Sequence, residues 1–214
     1  MFSKTKTFFA GLLLALPLVA ATPAHAQARG VGVVSVDAAI QQTTAFQAAE
    51  TQIQSTYATQ IQQAQTRAQA LQAELLPLQQ AAQAAQQANP NAQTPPAAVT
   101  TFAQRRQAAE QELATLNRPL VLARQYVREQ IGIHFNDSLT AAMTASNVDL
   151  VLEPNAVAAL APGSAANITP AVTTQLNTRV PSVQAIPPAG WNPGDTLRAA
   201  QQTQQPAAGQ PEGR

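Results

Sequence analysis

The sequence predicts a mainly α protein with a small β body: a long antiparallel helical hairpin, read as a coiled-coil arm, standing on a body of short strands. Three observations carry that prediction. Apolar residues recur at 3-4-3-4 spacing through most of residues 37–146. A cluster of turn formers, Asn89-Pro-Asn-Ala-Gln-Thr-Pro-Pro96, divides that stretch near its middle. Short β-branched runs at 31–36 and 148–152 flank it on both sides.

Composition supports the same class. Of 214 residues, 45% are apolar, 4% aromatic and only 11% charged, whereas about a quarter of an average soluble domain is charged. There are 30 Gln residues, and much of the apolar fraction is Ala. Both favour helix and bury little area each, so a large compact enzyme core is not expected. The chain has no Cys, which excludes disulfides, thiolate nucleophiles and zinc ribbons. After the N-terminus no run approaches the ~18–20 apolar residues of a membrane helix, so no stable membrane insertion is expected.

Residues 1–26 read as a signal peptide. Lys4 and Lys6 form a positive start, an apolar run follows, and Ala24-His25-Ala26 fits a cleavage site. Removing them takes away the only two lysines and leaves 10 Arg against 11 acidic residues. A near-neutral chain gives no general attraction to nucleic acid or anionic membranes, so no nucleic-acid partner is expected.

Residues 27–180 form the folded unit. Val31-Gly-Val-Val-Ser-Val36 has apolar side chains on both faces and predicts a strand; Asp37 follows as a helix N-cap. The first helix then carries a seam of Phe46, Ala49, Ile53, Tyr57, Ile61, Ala64, Ala68, Leu71, Leu75, Leu78, Ala82 and Ala85. From 37 to 88 it would span roughly 78 Å, with a kink at Pro77. A second helix, with Val99, Phe102, Arg106, Ala109, Leu113, Leu116, Leu120, Ala123 and Val127 on its seam, is expected to reach Ser146 and to kink at Pro119. The equal lengths set residue 37 opposite about 147, folding 37–146 into one helical arm. Strands follow at 148–152 and 157–160. Thr169-Pro170 opens a short helix, and residues 181–214, rich in Pro, Gln and Ala, read as a disordered tail. Three short strands cannot bury an independent core, so sharing them among subunits is expected.

No catalytic constellation emerges. His134 with Asp137 lacks the further ligands a metal needs. Gly30-Val-Gly32 precedes a strand without the third glycine of a nucleotide fingerprint. Glu110 and Glu112 lie two apart and do not share a helix face. The sequence therefore predicts no enzyme, no catalytic residue, no metal and no cofactor. Arg105, Arg106, Arg118, Arg124 and Arg128 form a basic stripe on the second helix, interleaved with Glu110, Glu112 and Glu129; it reads as a solvated coiled-coil flank, with a contact for an acidic partner as the rival reading.

The stretch Gly32-Val-Val-Ser-Val-Asp-Ala-Ala-Ile-Gln-Gln42 resembles the start of the Skp (OmpH) family of periplasmic chaperones. Val148-Asp-Leu-Val-Leu-Glu-Pro-Asn-Ala-Val157, with Asn167-Ile-Thr169 opening the last helix, resembles its end. The resemblance covers residues 30–180. It implies a homotrimer whose β body carries three arms around a cavity, and a periplasmic holdase that keeps unfolded outer-membrane β-barrel proteins from aggregating without ATP. With a trimer implied, the strand residues Val31, Val33, Val34, Val36, Val148, Leu150, Leu152 and Val157 are the candidate trimerisation body, and the arginine stripe is a candidate client-facing surface. The chain departs from the basic members of that family in its near-neutral charge and in its tail. The alternative is a structural coiled-coil protein of the cell envelope, which would show an anchoring module or an unbroken dimeric heptad. A secretion adaptor binding one partner at the arm tip is a further rival.

Overall fold

The structure is a computed structural model that describes residues 30–91 and 93–204. The signal peptide expected at 1–26 lies outside the described residues. The chain runs β1 (Val31–Val33), α1 (Val36–Gln41), α2 (Thr44–Thr56), α3 (Ala58–Ala88), α4 (Ala97–Gly132), α5 (Phe135–Ala145), β2 (Leu150–Leu152), a 3-10 turn (Pro154–Ala156), α6 (Thr169–Arg179) and α7 (Asp195–Gln204).

The arm is the antiparallel pair α3–α4, and the sequence periodicity reads its inward face. Every seam residue of the first helix from Phe46 to Ala85 is buried or half-buried. Leu71, 2% exposed, is the one large side chain fully buried along α3. Ala64, Ala82, Ala109 and, nearer the body, Leu120 fill the other closed positions outside the body core. Helix continues through both Pro77 and Pro119.

The breaks fall elsewhere. At Gln42–Thr43 the buried Thr43 hydroxyl donates to the Ile40 carbonyl (2.7 Å) and accepts from the Phe46 N–H (3.1 Å), closing one helix and capping the next. Asn177 of α6 holds the new start by accepting from the Thr44 N–H (2.9 Å). Tyr57 is only a local departure. Its N–H still bonds Ile53 and its carbonyl still accepts from Ile61, so α2 and α3 continue one rod. The second helix also stops short of 146: a tight turn at Ile133–His134 lets α5 pack on α6 instead of α1. Asp37 consequently meets Arg128, not a residue near 147.

The body departs from the expected three-strand sheet. Strand β1 ends at Val33, because the Ser35 side chain caps α1 by accepting from the Ala38 N–H and Val36 is already helical. It pairs in parallel with β2 in the register Val31–Leu150 and Val33–Leu152. On its other side only a bridge to Asn167 forms. Residues 157–160 are not a strand: Pro154 at the start of the 3-10 turn redirects the chain, and Val157 follows as coil. Gly32 has a packing role, since a Cβ there would lie 3.0 Å from the Val148 side chain and 3.2 Å from that of Ile168. After α5, Asn147 takes φ 51° and the Val148 N–H bonds back to Met143, a Schellman-type ending.

This body does enclose a core. Val34, Ile40, Ile53, Val127, Ile131, Val148, Ile168, Val172, Leu176, Val180 and Ala185 pack together with several alanines. The bases of α2 and α4 supply much of it, so core and arm are continuous. Ala185 and the partly buried Val183 belong to the tail expected at 181–214, which is therefore not disordered throughout. Residues 180–194 run back over α4 and lead into α7. The rest of the expected tail, 205–214, lies outside the described residues.

Candidate functional site

The surfaces available for recognition are the arm and the open edge of the body. Four of the five arginines of the basic stripe face acids of this chain. Arg128 pairs with Asp37. Arg124 pairs with Glu50, its Nε donating to Oε2 at 3.1 Å. Arg106 stays on the outside and meets Glu110 one turn on. Arg105, which turns inward in place of Arg106, reaches Glu74. Arg118 alone of the five has no ion pair among the described residues. The stripe is thus not a free positive surface; it is mostly one half of a set of internal pairs.

The outermost pairs form a network. Arg67 of α3 donates to both oxygens of Glu112 on α4 and to Glu74 (2.7 Å) on its own helix. Glu74 then receives Arg105. Both cross-pairs are symmetric about the Asn89–Pro90 bond, so they fix the hairpin register. The hydrogen bond from Arg105, then that from Arg67, holds the Glu74 carboxyl below its usual range. The bond from Arg67 does the same for Glu112, and Arg124 does it for Glu50. Exposed pairs contribute only about 0–1 kcal/mol each. Register is therefore their larger effect.

Closer to the body, small Ala side chains leave a cleft of about 780 Å³ between the helices. Ile61, Ala64, Ala68, Leu113 and Leu120 make its apolar floor; Gln54, Gln62, Gln65 and Asn117 line its rim, with Arg124, paired to Glu50, at its inner end. Such a groove offers apolar contact and uncharged hydrogen-bonding groups together.

The residues expected in the trimerisation body divide into two sets. Val33, Val34 and Val148 are buried within the protomer. Val31 (46% exposed), Leu150 (51%) and Val36 remain at the surface, and Leu152 and Val157 are half-buried. Strand β2 has no second neighbour among the described residues. No group of three or more His, Cys, Asp or Glu side chains converges among them, and His134 sits at the start of α5. Among the described residues no helix is long and apolar enough to cross a membrane.

Sequence reading passed over a second cluster, on the flank of α4. Tyr126, Glu129 and Gln130 lie at i, i+3 and i+4 and hold the returning segment. The one available signal was Glu129 and Gln130, polar residues at the edge of an otherwise apolar seam.

A two-helix arm rooted in a small body of helices and two parallel strands defines a helical-hairpin protein. The chain belongs to the OmpH-like family: a family model described as "Outer membrane protein (OmpH-like)" matches residues 30–176. No curated protein and no solved structure matches it. The family is one of periplasmic chaperones, and membership suggests a chaperone of outer-membrane proteins.

Proposed function

We propose that the protein is an ATP-independent periplasmic holdase that binds unfolded outer-membrane β-barrel proteins between the arms of a homotrimer. The observation that carries this reading is the arm itself. Its outer half packs chiefly on itself and is closed by alanines around one Leu, and nearer the body it carries a groove with an apolar floor and a polar rim. Unfolded barrel strands alternate apolar and polar residues and expose unpaired backbone edges. An adaptable arm with weak contacts of both kinds suits such a chain better than a rigid pocket would. The exposed Val31 and Leu150 at the open edge support subunit association through the body.

Light scattering of a denatured barrel protein diluted into the purified protein tests the proposal. Aggregation is suppressed without nucleotide, and only mildly less so at higher salt, because most arginines of the stripe are already paired internally. No suppression at a stoichiometric excess of trimer would remove the chaperone reading and favour the structural one.

A further inference from the structure

One extended segment of polypeptide already lies bound on the flank of the arm. Residues 180–194 carry no charged side chain and fall outside the matched 30–176. Their root is buried, through Val180 and Ala185. From Gln184 onward, three residues on one face of α4 hold them. The Gln130 amide donates from Nε2 to the Gln184 carbonyl (2.8 Å) and accepts at Oε1 from the Gln184 N–H (3.0 Å). That is the pair of bonds a neighbouring strand would offer one residue. Glu129 Oε1 accepts from the Gly194 N–H (2.6 Å). Tyr126 meets the Trp191 ring edge-on, with centroids 5.1 Å apart. Apart from that aromatic pair, every one of these contacts reads backbone.

Two features mark this as a site and not mere packing. Glu129 is 8% exposed, and its Oε2 is buried with no hydrogen-bond partner among the described residues. A second acceptor is thus held open beside the segment, and leaving it unmatched weakens the docked state. A cleft of about 450 Å³ also continues from Trp191 past Tyr57, Arg118, Pro119 and Leu122.

We infer that Tyr126, Glu129 and Gln130 form a binding site for the backbone of an extended, uncharged polypeptide segment carrying an aromatic residue, and that residues 184–194 of the same chain are its resident occupant. The inference rests on the chaperone reading only for the outside ligand, an unfolded client segment of this chemistry that displaces the tail.

Trp191 is the only tryptophan of the chain, so its emission reports occupancy in the full-length protein. The probe is a synthetic peptide of residues 181–194 carrying Trp191→Phe. A tethered segment acts at an effective concentration of order mM, so the peptide is titrated through several times ~1 mM. The emission moves saturably to that of the urea-denatured chain. The same peptide with the Gln184 nitrogen methylated, which removes one donor, competes at least several-fold more weakly. Gln130→Leu starts from the shifted spectrum, with its helical circular dichroism unchanged. An unmoved emission, or equal competition by the methylated peptide, overturns the inference; neither result depends on a variant folding. Suppression of barrel aggregation is measured alongside on the same wild-type protein. Displacement without suppression keeps the site and removes the chaperone reading. Suppression without displacement does the reverse.

Discussion

Leu71→Ala removes the one large side chain that is fully buried along α3. It sits between Arg67 and Glu74 on the same face of α3, under the clasp they form with Glu112 and Arg105. Fully buried Leu→Ala changes cost about 2–5 kcal/mol, the lower end where neighbours collapse into the space. The nearest seam positions on α3 are Ala68, too short to fill it, and half-buried Leu75, which can close part of it, so the cost should lie in the lower half of that range. The loss should therefore exceed what the exposed clasp itself contributes, which solvent screening keeps small. It should also be local, since the body core shares no side chain with this layer. Amide hydrogen exchange reads both expectations. Protection falls by at least tenfold, the equivalent of about 1.4 kcal/mol, for α3 and α4 on the turn side of residue 71. Protection of β1, β2 and α6 stays unchanged. Equal loss in arm and body would refute the separation of the two. No loss at the tip would show that the clasp, not Leu71, closes the arm.

Acid should loosen the same region. Glu74 and Glu112 have carboxyls held below their usual value by Arg105 and Arg67, so their stabilisation is present above that value and lost as pH falls below about 4.5. Tip-selective exchange at low pH checks it, and a pH-independent tip would count against the clasp. Leu150→Asp, at an exposed position, should abolish association in sedimentation equilibrium while leaving the protomer's circular dichroism intact. Val34→Asp, 3% exposed, should unfold the body itself. Truncation after Arg179 removes Val180 and Ala185 from the core and should cost about 1.5–3 kcal/mol for the valine alone. Truncation after Ala185 should cost far less in a urea titration.

What was legible in the sequence followed from short-range rules. The 3-4 spacing placed the inward face of the arm, and Asn89 to Pro96 placed its turn. The paired β-branched runs located β1 and β2. What was missed depends on contacts distant in sequence. Thr43 looks like an ordinary helical residue until its hydroxyl and Asn177 are seen together. The seam pattern runs on past Gly132, but packing against α6 takes α5 out of the arm. Val157 to Leu160 has β-branched and aliphatic character without a neighbour to pair with. The segment from Pro181 looks too poor in apolar residues to order, yet its few apolar side chains meet a surface already built. The arginine stripe was visible as charge, but three of the four acids that meet it, Asp37, Glu50 and Glu74, lie on other helices.

The parallel pairing of Val31 with Leu150 has a consequence for how the protein is made. A nascent chain presents β1 first, and its partner comes only after both long helices have been synthesised. Asn167 and Asn177, which complete the bridge beside β1 and the start of α2, come later still. The hairpin can zip from its own turn in the meantime, since its contacts are nested about that turn. Once zipped, it brings the two ends of the chain together, so closing the body no longer costs the entropy of a loop of that length. The arm is thus a jig for assembling its own base, and until the last helix arrives the apolar β1 is this protein's own aggregation hazard.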